Sequence, residues 1–188
     1  SNSESVRLMS TIPKDKLSKE FLQTYAQQQI DIYLSTDGDE ELAWAEIKEA
    51  YKVAKLPEPK NIVWYDSPKQ FTDSVGASVR DSVRDSVGAS VGASVRDSVW
   101  DSVRAYYDSS YNAWLKFFND HQEENDFRHI CIFTEQITGY LLTAETVHAV
   151  RKPKRLVREP GGRLHYDHDK AIEWRDGYGC YYLNGVEF

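Results

Sequence analysis

From Ser74 to Ala105 the chain repeats a four-residue unit eight times, reading SVGA SVRD SVRD SVGA SVGA SVRD SVWD SVRA. Each copy must play a nearly equivalent structural role, so the period constrains the fold more than any other feature. A period of four is compatible with a strand, where i and i+4 share a face, and with a helix. Local signals favour the helix. Ser67-Pro68-Lys69-Gln70 has the form of a capping box with Pro at the first helical position. Asp81 precedes Arg84 and Asp101 precedes Arg104 by three residues, the spacing at which opposite charges meet on a helix surface. Four residues advance a helix by about 400°, so the Val column drifts by about 40° per repeat and successive copies face different neighbours. As one helix the array would span about 48 Å, against a radius of gyration of about 16 Å for a chain of this size. A break is therefore expected, and Gly88 to Gly92 has the lowest helix propensity. The resulting expectation is helix over 68 to 87 and 93 to 118, with Val79, Val83, Val95 and Val99 buried and Arg80, Arg84 and Arg96 exposed.

Upstream, Pro13 opens a predicted helix to about Leu34, with Leu17, Phe21 and Tyr25 on one stripe. Asp37 reads as the N-cap of a second helix to about Lys55, which Leu56-Pro57-Glu58-Pro59 ends. Asn61 to Tyr65 is short, β-branched and aromatic, and reads as a strand. Tyr106, Tyr111, Trp114, Phe117 and Phe118 predict a helix packed on the repeats. Ile130 to Phe133 fits a helix or a buried strand equally well. Beyond Thr146, short segments at Val147 to Val150, Leu156-Val157, Leu164 to Tyr166, Ile172 to Trp174 and Tyr181 to Leu183 alternate with turn signals. Asp176-Gly177 and Asn184-Gly185 are strong hairpin dipeptides, so this region reads as a small antiparallel β meander. The fold class is α+β: a mainly helical part, 1–126, containing the array at 74–105, and a C-terminal part, 127–188, with the meander, together forming one compact unit.

The order of these segments resembles a bacterial and bacteriophage family classified as a domain of unknown function. In that family a YxxAxLPxP helix end leads to VVWxxSP, SV-type tetrapeptides, GRLHxxxGPA and DGWxxYxxNGV. Here the matching stretches are Tyr51 to Pro59, Ile62 to Pro68, the array, Gly162-Arg163-Leu164-His165, and Asp176 to Val186. The resemblance runs from about Glu40 to the end and implies no particular activity or catalytic residue. Where the family reads Gly-Pro-Ala, this chain has Asp169-Lys170-Ala171, so a Gly-Pro turn cannot form there. The tail from Asp176 to Val186 is also similar to one hairpin unit of MORN-type and some antitoxin repeat proteins.

Net charge is −7, which argues against a generally basic nucleic-acid-binding surface. One stretch departs from this: Arg151, Lys152, Lys154, Arg155, Arg158 and Arg163 stand against Glu159 alone, as a solvated hairpin or as a site for an anion or acidic partner. Cys131 and Cys180 lie outside any CxxC and read as reduced thiols. No apolar run of membrane-spanning length and no signal-peptide pattern occurs, so a cytoplasmic location is expected. GxSxG, P-loop and dinucleotide fingerprints are missing from the sequence, and no cofactor is implied. His165-Tyr166-Asp167-His168-Asp169 is the one cluster with catalytic or metal-ligating residue types. On a strand, His165, Asp167 and Asp169 would face one side and Tyr166 and His168 the other. His165 is expected to be structural, its ring fixed by a hydrogen bond between the meander and the helical part.

Two functional readings follow. The first is a non-enzymatic interaction module that binds an unidentified macromolecular partner, a protein before a nucleic acid, with no membrane association. The alternative is a small metal-dependent hydrolase or nuclease centred on His165, Asp167 and His168, with the cations of 151–163 contacting phosphate.

Overall fold

A computed structural model describes residues 13–76, 116–117, 120–121, 128–160 and 162–188. After a 3-10 turn at Lys14–Leu17, helix α1 runs Lys19–Tyr33. The predicted continuous helix from Pro13 is broken at Ser18, whose extended backbone lets its hydroxyl accept from Phe21 N. Helix α2 spans Glu40–Val53. Its N-cap is Asp39 rather than the predicted Asp37, with Asp39 Oδ1 accepting from Leu42 N at 2.9 Å. Strand β1 is Asn61–Tyr65, and residues 68–76 are helical. Ser67 caps that helix by accepting from Gln70 N at 3.0 Å, while Gln70 Oε1 accepts from Asp66 N at 2.7 Å. The Ser67 half of the anticipated capping box is present, whereas the return bond from Gln70 goes to the amide one residue before the cap. Ser74, Val75 and Gly76, which open the array, lie in this helix. The remainder of the array, with the burial expected of Val79, Val83, Val95 and Val99 and the exposure expected of Arg80, Arg84 and Arg96, lies outside the described residues.

Helix α3, Arg128–Gln136, takes up Ile130 to Phe133 and runs directly into β2, Ile137–Leu142, followed by β3, Thr146–Arg151. The sheet order is β1-β3-β2, with β1 parallel and β2 antiparallel to β3. Val147 to Val150, expected in the meander, instead form the centre of this sheet. Their apolar content suits a central strand covered on both faces. The sheet therefore draws on both sides of residue 126.

Alternation along β3 divides the core. Val147 and Ala149 face α2 and α3, packing with Ala43, Ile47, Tyr51, Phe133 and Ile137. Val150 faces the 68–76 helix, packing with Tyr65, Phe71 and Val75. The register Tyr65↔Val150 and Trp64↔Ala149 explains why Tyr65 joins the second cluster and Trp64 the first. Fully burying side chains such as Phe133 and Phe71 contributes about 2–3 kcal/mol each. From Arg155 onward, the described residues form short antiparallel pairings: β4 (Arg155–Leu156), β5 (Ile172–Glu173) and β6 (Gly179–Cys180) in one sheet, β7 (Tyr182–Leu183) and β8 (Val186–Glu187) in a ribbon. The protein is thus α+β.

Candidate functional site

The basic stretch begins at the end of β3, where its residues are drawn apart. Arg151 forks onto Glu40, with Nε at 2.7 Å from Oε1 and Nη2 at 3.1 Å from Oε2, and gives Nη1 to Asp66 Oδ1 at 3.0 Å. Its guanidinium also sits 5.4 Å from the Trp64 ring centre. The end of the central strand is thereby tied to the first turn of α2. Lys152 is only 4% exposed and donates from Nζ to Ile32 O at 2.8 Å and Tyr33 O at 3.0 Å, the last carbonyls of α1. Burial pushes its pKa down to about 8, against the opposing pull of Glu135 and Asp37.

Lys154 and Arg155 both reach Glu173, at 2.9 Å each, and Arg155 also meets Asp169 at 2.6 Å. Arg158 gives both terminal nitrogens to Asp31 of α1, and Arg163 pairs with Glu159. Six carboxylates and two helix carbonyls therefore absorb the cations singled out as a possible anion site, and no common point gathers all six cations.

The His165 cluster is likewise folded in on itself. His165 Nδ1 accepts from Asn184 N at 2.9 Å, which leaves the neutral ring's proton on Nε2, 3.1 Å from Asp167 Oδ1. His168 packs edge-on against Tyr166 with ring centres 5.7 Å apart. Among the described residues no group of three His, Cys, Asp or Glu side chains has metal-holding geometry. The partner of His165 differs from the expected helical part. Asn184 and Gly185 adopt left-handed φ values of 51° and 83°, and this turn lays its amides on segment 164–165: Gly185 N also donates to Leu164 O at 2.9 Å.

Sequence reasoning overlooked three polar contacts whose members are distant in the chain. Ser67 Oγ donates to Asp176 Oδ2 at 2.5 Å, tying the capping box to the Asp176-Gly177 turn. Tyr65 Oη and His148 Nδ1 lie 2.8 Å apart, and His129 Nδ1 lies 2.6 Å from Glu46 Oε2. Only the cap had a local signature. Cys180, beside Tyr178 and Glu187, has its thiol pushed up to about 11 by burial, so it stays protonated at neutral pH.

The C-terminal ribbon turns a row of apolar side chains outward. Its register pairs Leu183 with Val186 and Tyr182 with Glu187, so alternation puts Tyr181, Leu183, Val186 and Phe188 on one face. These are 40%, 40%, 66% and 73% exposed, and the rings of Tyr181 and Phe188 lie 5.9 Å apart. On the opposite face Tyr182 Oη donates to Glu187 Oε2 at 3.0 Å. A separate apolar groove of about 350 Å³ lies between α2, α3 and the β2–β3 turn, lined by Ala50, Ala54, Leu56, Ile130 and Leu142 among others.

No family model matches the chain, and neither a curated protein nor a solved structure shows significant similarity to it. No helix among the described residues is long and apolar enough to cross a membrane.

Proposed function

We propose that the protein is a non-enzymatic, cytoplasmic interaction module whose C-terminal ribbon binds the apolar surface of a protein partner. The observation that carries this reading is the ribbon's outward face: four apolar side chains, two of them more than half exposed, line one side of a two-stranded element. Contiguous exposed apolar surface costs solubility and marks contact sites. A two-stranded ribbon alone is marginally stable, and a partner covering this face would stabilise it. A protein partner fits better than nucleic acid, because the net charge is −7 and the basic stretch is neutralised internally. The hydrolase alternative draws less support, since both nitrogens of the His165 ring are engaged. Membership of the family with SV-type arrays is likewise our proposal, supported by the order of the motifs.

The test compares the wild-type chain with a Val186→Ser/Phe188→Ser variant in quantitative capture from the native host, followed by reconstitution with the purified partner. A protein bound directly by the wild type and lost with the variant, at unchanged thermal stability, supports the reading. Equal binding by both overturns it, as does metal-dependent hydrolytic activity abolished by His165→Ala.

A further inference from the structure

Helix α1 is attached to the rest of the molecule in a different way from α2 and α3. Among the described residues neither hydrophobic cluster of the sheet includes a side chain from α1. The one buried residue of α1 is Gln29, 4% exposed, and its Oε1 is enclosed without a hydrogen-bond partner. Two more enclosed atoms without such a partner, Glu135 Oε1 and His121 Nε2, belong to residues that pack near α1. Lys116 Nζ stands 3.6 Å from that Glu135 oxygen, and burial raises the Glu135 carboxyl's pKa.

Among the described residues, several polar links join α1 to the sheet layer. Tyr33 Oη meets Thr134 Oγ1 at 3.3 Å, Lys152 holds the carbonyls of Ile32 and Tyr33, and Arg158 holds Asp31. Earlier on α1, Phe21 and Tyr25 pack on Phe117 and His121, and Tyr25 Oη donates to Asp120 at 3.0 Å. A seam that encloses unsatisfied polar atoms gains hydrogen bonds to water when it opens, whereas an apolar seam loses its burial. Opening along α1 is therefore cheaper than opening along α2.

We propose that α1 is a releasable strap, which lifts from α3 and the end of β3 while the sheet and its two apolar clusters stay folded. Release uncovers the part of α3 that carries Cys131 and Thr134. Cys131 is 1% exposed and lies on α3, against which α1 packs, so its thiol reports on the strap.

The experiment uses the full chain with Cys180→Ser, leaving Cys131 as the single thiol. Its labelling rate is followed against urea, with hydrogen exchange of α1 and α2 amides in parallel. The strap predicts labelling that is nearly independent of urea at low concentrations and α1 amides that exchange well before those of α2. Gln29→Leu, which removes the enclosed carbonyl oxygen, slows labelling about tenfold. Arg158→Ala, which removes the link to Asp31, speeds it about threefold. Labelling with the full urea dependence of global unfolding, with α1 and α2 amides equally protected, would overturn the strap. Local labelling that neither substitution alters would overturn the polar seam as its cause.

Discussion

Arg151 joins partners 111 and 85 positions away in the chain, Glu40 and Asp66, and its fork geometry is what lets one side chain serve both. Replacing it with Met leaves Asp66 without its cation and Glu40 with only the longer 3.5 Å contact to Arg175. The variant is expected to lose about 1–3 kcal/mol of unfolding free energy in urea titration. His165 works at shorter range. Its ring bonds the Asn184 amide, so His165→Ala should cost about 1 kcal/mol in the same assay, with the loss confined to the C-terminal ribbon in amide exchange. The six cations of 151–163 were legible as a charge run, but their destinations were not. Asp31, Glu40 and Asp66 come from elements far upstream, and composition says nothing of which acid the fold will bring close.

Local chemistry made several elements readable. The capping box at Ser67 placed a helix start within one residue, and the Asn-Gly dipeptide placed the ribbon's turn. Ser67→Ala tests both roles of that cap. It removes the acceptor for Gln70 N and the donor to Asp176 Oδ2, and is expected to cost about 1–2 kcal/mol in thermal or urea unfolding. Ser67→Thr, which keeps a hydroxyl, should recover part of that loss. Where two signals competed locally, reading failed. Ile130 to Phe133 is too short a run to separate helix from strand, and tertiary packing of Phe133 against Tyr140 and the α2 cluster decides it. Val147 to Val150 was misplaced because strand pairing partners are set by long-range contacts. Its true neighbours are β1, far upstream, and β2.

At the scale of the molecule, titration of the enclosed groups shapes the stability curve. Lys152 has a folded pKa of about 8 against an ordinary 10.5, so the cost of burying its charge is fully present below pH 8 and is relieved as pH rises towards 10.5. In a Cys180→Ser background, which removes the opposing thiol raised to about 11, stability at fixed urea should therefore climb between pH 8 and 10, and Lys152→Met should flatten that slope. A Cys180→Ser curve that falls across this window, with the Lys152→Met curve parallel, would refute the assignment. Glu135 acts in the mirror sense, since its carboxyl is raised by burial and its cost is relieved as pH falls towards 4.5. Parallel pairing of β1 with β3 has a consequence for biosynthesis. Asn61–Tyr65 leaves the ribosome long before Thr146–Arg151, and the whole tetrapeptide array must be translated between them. Until then β1 lacks its ladder partner and the apolar side of α2 lacks half of its cover, leaving Ile47 and Tyr51 exposed to chaperones. A nascent chain stalled before residue 146 should thus be protease-sensitive through β1, and one released past 151 should become resistant.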